Sequence, residues 1–502
     1  MTGDVIDNLT EWQGHLSLLL VAIPLIAAPI VAVLPRGRLP WFVTLLVTVA
    51  CATLAGIQLW SVVQHGLISY ELGGWAPPWG IEYRIDAVNA FVALVVAGIA
   101  AITLPYALLS VEKEIPKAQI PLFYTAFLLC LCGLLGITQT GDIFNVFVFL
   151  EISSLSAYAL ISMGRQRQAL TSAYQYLIMG TTGATFFLIG VGLIYSQTGT
   201  LNMADLAARL PEVFELKTVH TGFAFIVIGI ALKLALFPLH LWLPNAYTYA
   251  PTVVTIFLAA TATKVALYLM LRVIFTVFPN DFALGTPTFD LFVISGIAAI
   301  LSASVYAIYQ TDVKRLLAYS SVAQIGYMAL GIGFASAMGV TAALLHLFNH
   351  ALMKGALFMA VGAIIYRVGN CRMDNIHGLG RRMPWTFGAI IIGGLSLVGI
   401  PGTAGFISKW YLILAALEEQ AWITVAVILA GSLLAVVYIG KIIEALYFKP
   451  ASEANLKVKE APLLLLAPTW TLALANVYFG LNTELTVGVA ERAAQVLGAA
   501  GL

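Results

Sequence analysis

The sequence predicts an all-α integral membrane protein of about fourteen transmembrane helices. Hydrophobic residues make up 61% of the chain and charged residues 10%, whereas a soluble domain carries about 25% charge. The mean hydropathy is +0.94. The apolar runs are also helix-length, near the roughly 20 residues that cross a bilayer. A net charge of +1 gives no reason to expect nucleic acid or acidic partners. The opening stretch MTGDVIDNLTEWQ is acidic, so it does not read as a cleaved leader.

In chain order the apolar segments are 15–35, 41–63, 88–110, 121–138, 142–163, 170–196, 221–247, 250–278, 288–309, 316–334, 337–366, 384–417, 421–448 and 461–480. Between the sixth and seventh, 197–220 reads as a short external helix or loop. The tail 483–500 has the pattern of an amphipathic helix, on the outer surface or on a neighbouring subunit. Alternate loops hold fifteen basic residues, from Arg36 and Arg38 through Lys113, Arg165, Lys314 and Arg367 to Lys449 and Lys459. The other side holds Arg84, Arg209, Lys217 and Arg492, with Arg272 at its edge, and most of the acids. Basic loops stay on the cytoplasmic side, so both termini are predicted outside. The whole chain reads as one polytopic domain.

Five cations remain, all lysines inside spans: Lys233, Lys264, Lys354, Lys409 and Lys441. Glu151 and Glu444 are the acids predicted at comparable depth. A lysine at bilayer depth costs about 2.5–3.5 kcal/mol on insertion scales. Lysine can give up its proton where it is buried and arginine effectively cannot, so this set points to proton exchange. A lysine near a span end can instead reach the headgroups, and Lys441 is open to either reading.

The seventh span, GIALKLALFPLHLWLPNAY (229–247), holds Lys233 and Pro238 together. Proline removes one backbone donor, so this helix is predicted to break, with His240 beside the break. The stretch FFLIGVGLIYSQTG (186–199) resembles LFMAVGAIIYRVG (357–369). Two five-helix units are therefore expected, 121–278 and 288–448, the second inverted because five crossings is an odd number. Pro401-Gly402 is the second breaker, shortly before Lys409. In the ungapped alignment His346, His350 and Lys354 fall opposite Gln175, Met179 and Gly183. Their spacing puts all three on one helix face, which suits a proton path. HLFNH could also hold a metal, but no third ligand or metalloprotease glutamate accompanies it. Glu151 could pair with a lysine, either to join two helices or to pass a proton. Cys130-Leu-Cys132 reads as packing. No iron–sulfur, Rossmann or P-loop pattern occurs.

GDIFNVFVFLEISSLSAYALI (141–161), KLALFPLHLWLPNAY (233–247), the Lys264 span, SSVAQIGYMALG (320–331), HLFNHALMKGALF (346–358) and GTAGFISKW (402–410) resemble the antiporter-like, proton-translocating subunits of complex I and of energy-converting hydrogenases. The resemblance covers nearly the whole fourteen-span core. Within that family the chain looks like the D subunits of Mrp-type multisubunit Na+/H+ antiporters. GDIFNVFVFLEISS, lysine at 409 and a length near 500 fit them.

The resemblance implies a proton relay: Glu151 with Lys233 as a gating ion pair, Lys264 as the link to the centre, then His346, His350 and Lys354, with Lys409 terminal. His240, Lys441 and Glu444 are lesser candidates. It implies a cell-membrane transporter subunit rather than an enzyme by itself, with other membrane subunits, protons, Na+ and lipid as partners. No cofactor or metal is expected on this chain. A redox-driven complex, such as an NADH-quinone oxidoreductase or membrane-bound hydrogenase, is the alternative setting.

Overall fold

The computed structural model describes residues 2–278 and 280–498, with side chains from residue 14 onward except Asn280. The helices are α1 (Thr2–Val33), α2 (Leu39–His65), α3 (Ala87–Glu114), α4 (Ile120–Gln139), α5 (Ile143–Ser162), α6 (Arg167–Thr198) and α7 (Met203–Arg209). Next come α8 (Lys217–Leu234), α9 (Trp242–Tyr249), α10 (Thr252–Arg272), α11 (Asn280–Leu284), α12 (Thr288–Ile308), α13 (Val313–Gly333) and α14 (Ala337–Val368). The last six are α15 (Pro384–Val398), α16 (Ala404–Glu418), α17 (Trp422–Ile443), α18 (Glu453–Leu456), α19 (Leu463–Leu481) and α20 (Glu484–Val496). Among the described residues 13 helices are long and apolar enough to cross a membrane. Helices α15 and α16 have 15 residues each, and α15 is apolar but shorter than a full crossing.

Both predicted breaks are present. Helix α8 stops at Leu234, Ala235 turns left-handed at φ 59°, and the chain resumes as α9 after Pro238. Proline lacks the donor a helix needs and keeps the residue before it out of helical geometry. Helix α15 stops the same way at Gly399, φ 89°, before Pro401 and Gly402. The bonds at the two breaks match: Leu236 N–H donates to Ala231 O at 3.0 Å, and Ile400 N–H to Leu395 O at 3.1 Å.

Short polar caps start the helices around these breaks. Asp142 accepts from Asn145 N–H at 2.7 Å and opens α5; Asp312 accepts from Arg315 N–H at 3.0 Å and opens α13. Each satisfies a donor the helix start would otherwise leave free. Asp142 bridges Asn202 beyond α6, and Asp312 bridges Arg372 beyond α14 at the same spacing. Helices α10 and α17 both end in a widened π turn, Val273–Val277 and Glu444–Phe448.

One feature was not expected. Strands β1 (Ile68–Glu71) and β2 (Glu82–Ile85) form a small antiparallel hairpin between α2 and α3. Buried Glu82 ties it down, accepting from Ser69 Oγ at 2.7 Å and Asn202 Nδ2 at 2.9 Å. Helix α20 exists as anticipated, although residues 499 and 500 of its predicted range lie outside the described residues. It packs on α3 and α14 of this same chain. Thr486, Val489, Ala490, Ala493 and Ala494 are its buried face.

Arg272, at the end of α10, pairs with Asp86, the cap of α3, at 2.8 Å, and both side chains are buried. Removing one member of a buried pair strands the other charge and costs about 3–5 kcal/mol. Arg272→Gln should therefore lower the thermal stability of the protein, read as a fall in melting temperature and in assembled protein. An unchanged melting temperature would mean that Asp86 finds another partner.

Candidate functional site

The site begins where α8 breaks. Lys233 sits in the last turn of α8, 7% exposed. Its Nζ donates to Ser154 Oγ at 2.6 Å and stands 3.8 Å from Glu151 Oε1. Ser154 lies nearly one turn beyond Glu151 on α5, so serine and glutamate face the same lysine. At 3.8 Å the ion pair is open; a charge-assisted hydrogen bond closes to about 2.7–2.9 Å. The break frees the last carbonyls of α8, and Trp242 Nε1–H reaches back to Leu232 O at 3.0 Å. Trp242 stacks on Tyr176 of α6 with ring centroids 3.9 Å apart, which fixes α9 in place. His240 lies within the break, buried, its ring against Phe237.

The centre is built by α10 and α14, both largely enclosed by other helices. Lys264 on α10 is fully buried and donates to Ala259 O and, at 3.3 Å, to Thr263 Oγ1. His346, His350 and Lys354 share one face of α14, as their spacing requires. The two imidazoles are parallel within 9°, with centroids 6.2 Å apart. His346 Nδ1 contacts Ser408 Oγ of α16 at 2.8 Å, and its Nε2 contacts Gln324 Oε1 of α13 at 2.9 Å. An amide oxygen only accepts, so this arrangement places a hydrogen on Nε2. His350 is fully buried, and among the described residues neither ring nitrogen has a hydrogen-bond partner. Lys354 donates to Leu317 O at 2.9 Å and to Ser320 Oγ. Lys264, Lys354 and His346 are all within electrostatic reach of His350.

The far end is Lys409 on α16. Its Nζ donates to Leu397 O at 3.0 Å, Val398 O at 2.9 Å and Ser432 Oγ at 3.0 Å, and stands 4.8 Å from the Tyr327 ring centroid. The two carbonyls are those freed by the second break. Lys409 and Lys264 are both within electrostatic reach of His346. Ring and hydrogen-bond contacts join His350, His346 and Ser408 across α14 and α16, with Lys354 one turn on along α14 and Lys409 next to Ser408. Glu151 with Lys233 forms a separate pair beside the first break.

Two expectations of depth are corrected. Glu444 is 54% exposed at its side chain and pairs with Lys449 at 2.8 Å, because the π turn at the end of α17 turns it outward. Lys441 donates to Ile308 O and Gln310 O, both at 2.8 Å; it caps the end of α12 and does not reach the line. The internal register is corrected too. Aligned on the two left-handed break residues, Lys233 falls opposite Leu397 and Lys409 opposite Asn245. The matching bridges beyond α6 and α14 place His346, His350 and Lys354 opposite Tyr176, Gly180 and Ala184, one residue from the ungapped alignment.

Sequence reading missed Gln324, Tyr327, Ser320, Ser408 and Ser432 as partners. Ser320 and Gln324 stand four apart in SSVAQIGY, and Ser408 precedes Lys409, so spacing carried a weak signal. Among the described residues no group of three or more His, Cys, Asp or Glu side chains could hold a metal. All four cysteines are free and buried.

Residues 140–435 match the family described as NADH:quinone oxidoreductase/Mrp antiporter, transmembrane. The chain is 42% identical to the N subunit of an NADH-quinone oxidoreductase from Desulforudis audaxviator, over 94% of this chain and 96% of that one. It is 31% identical to the D subunit of a Na(+)/H(+) antiporter from Alkalihalophilus pseudofirmus, over 84% and 85%. Its fold is similar to a chain of the membrane-bound sulfane sulfur reductase, an archaeal respiratory membrane complex, with a TM-score of 0.89, 34% identity, and coverage of 96% and 97%.

Proposed function

We propose a function from the premise that this chain belongs to the NADH:quinone oxidoreductase/Mrp antiporter transmembrane family: it moves protons through the buried line Lys264–Lys354–His350–His346–Lys409, with Glu151 and Lys233 as the gate. That the chain is a multi-pass membrane subunit of an antiporter-like complex follows from the family and its relatives. One observation supports the proton path above all. Of the four buried lysines Lys233, Lys264, Lys354 and Lys409, only Lys233 has a carboxylate within 4 Å among the described residues. Fixed structural charge at such depth is paired; lysines held only by carbonyls and hydroxyls suit a proton that comes and goes. The two units 121–278 and 288–448, inverted relative to each other, belong to this reading. So do the plasma membrane and external termini.

The setting we favour is a monovalent cation/proton antiporter with several other membrane subunits. A redox-driven complex is the second reading, and the 42% identity to an oxidoreductase N subunit favours it. Purifying the intact complex and identifying every subunit separates them. Membrane subunits alone support the antiporter; iron–sulfur or nickel–iron partners overturn it.

For the orientation, cysteines substituted at Thr2 and Leu502 should react with an impermeant maleimide in intact cells. Labelling only after the membrane is opened would reverse the topology.

A further inference from the structure

At the end of α17 the chain builds a basic cavity that the proton line does not use. The π turn Glu444–Phe448 closes with Lys449 N–H donating to Glu444 O at 3.0 Å. Gly378 docks on that end: its N–H donates to Ala445 O at 3.0 Å. Its φ is +72°, and a Cβ there would lie 2.6 Å from the backbone nitrogen of Ala451. Only glycine accepts both conditions. The docking encloses a cavity of about 420 Å³ lined by Gly378, Arg381, Arg382, Tyr447, Phe448 and Lys449.

Lys449 is already held by Glu444. Arg381 lies over the Tyr447 ring at 5.3 Å. Among the described residues neither Arg381 nor Arg382 pairs with a carboxylate. The cavity thus keeps two uncompensated guanidinium charges facing open space. The candidate spanning segment ends at Phe448, and the end of a span meets the headgroup region. Away from the cavity the outer face of α17 is apolar and exposed at Leu429, Leu433, Val436 and Val437, one stripe at helical spacing. The matching π turn of α10 has Val273 where Glu444 stands and Phe278 where Lys449 stands, so the backbone turn alone does not require the charges.

We propose that this cavity binds the phosphate of an anionic phospholipid, with its acyl chains along the outer face of α17. Guanidinium groups pair with phosphate bidentately. Aromatic rings suit the interfacial level, and basic pockets at the ends of spanning helices are a recurring form of lipid headgroup site. A free phosphate would use the cations but leave the apolar stripe along α17 without a role.

The test uses the intact complex in nanodiscs of phosphatidylcholine with a minority of phosphatidylglycerol, then native mass spectrometry of the lipids retained in detergent. Wild type should retain phosphatidylglycerol selectively. The double variant R381Q/R382Q should retain it about tenfold less, and millimolar inorganic phosphate should not displace it. Equal retention by the variant, or displacement by phosphate, would overturn the proposal. A photoactivatable phosphatidylglycerol gives a readout on the wild-type complex without substitution. Crosslinks should concentrate at 378–382 and 447–451. Labelling spread evenly over the spans, or a partner protein crosslinked there instead of lipid, would equally overturn it.

Discussion

Arginine in place of Lys233 should leave the complex assembled and reduce its ion-coupled proton transport by about a hundredfold, the lower end of what a positioned proton-transfer group contributes. Arginine keeps the positive charge, the attraction to Glu151 and a donor for Ser154. It cannot give up its proton in a protein. Lys233 stands 2.6 Å from Ser154 Oγ and 3.8 Å from Glu151 Oε1, so a small movement of the last turn of α8 decides which oxygen holds it. The left-handed Ala235 two residues later frees that turn from a continuous helix and gives the movement a place to occur. The measurement is proton flux in membrane vesicles, with assembled protein quantified alongside because the guanidinium is larger. Near-normal flux would return Lys233 to a structural role.

Lys409→Ala should affect both folding and transport. Its ammonium is the donor to Leu397 O, Val398 O and Ser432 Oγ. The corresponding region of the first break uses a neutral donor, Trp242, on Leu232 O. Removing the lysine leaves two buried carbonyls unsatisfied, at about 1–3 kcal/mol each. The melting temperature of the complex should fall, and transport with it. Lys409→Arg separates the two effects: it can still donate to the carbonyls, so stability should return while transport does not. An alanine variant as stable as wild type would mean that those carbonyls do not depend on Lys409.

Much of this was legible in the residues, for identifiable reasons. Helix-length apolar runs announce spans because the bilayer demands both length and internal hydrogen bonding. Pro238 and Pro401-Gly402 announced the breaks because proline cannot complete the helix ladder. His346, His350 and Lys354 announced a shared face because four-residue spacing returns to the same side of a helix. What stayed hidden depended on where helices end and meet. Glu444 lay inside an apolar run, and only the π turn shows that it points outward. The hairpin 68–85 was obscured within a polar connection. Serines such as Ser320 and Ser408 are common in spans and gain meaning only from the lysine or histidine opposite. The register of Lys233 against Lys409 needed the break residues as fixed points, which composition does not supply.

The most direct test of the proton line is Lys264→Met in the intact complex reconstituted into proteoliposomes, with proton flux and melting temperature measured together. Lys264 is fully buried, and among the described residues its ammonium donates to Ala259 O and Thr263 Oγ1. Methionine is apolar and of similar length, and replacing a buried charge by a packed apolar side chain is often neutral or stabilising. The proton line predicts an unchanged or raised melting temperature together with loss of most proton flux. Normal flux in a stable, assembled Lys264→Met complex would contradict it.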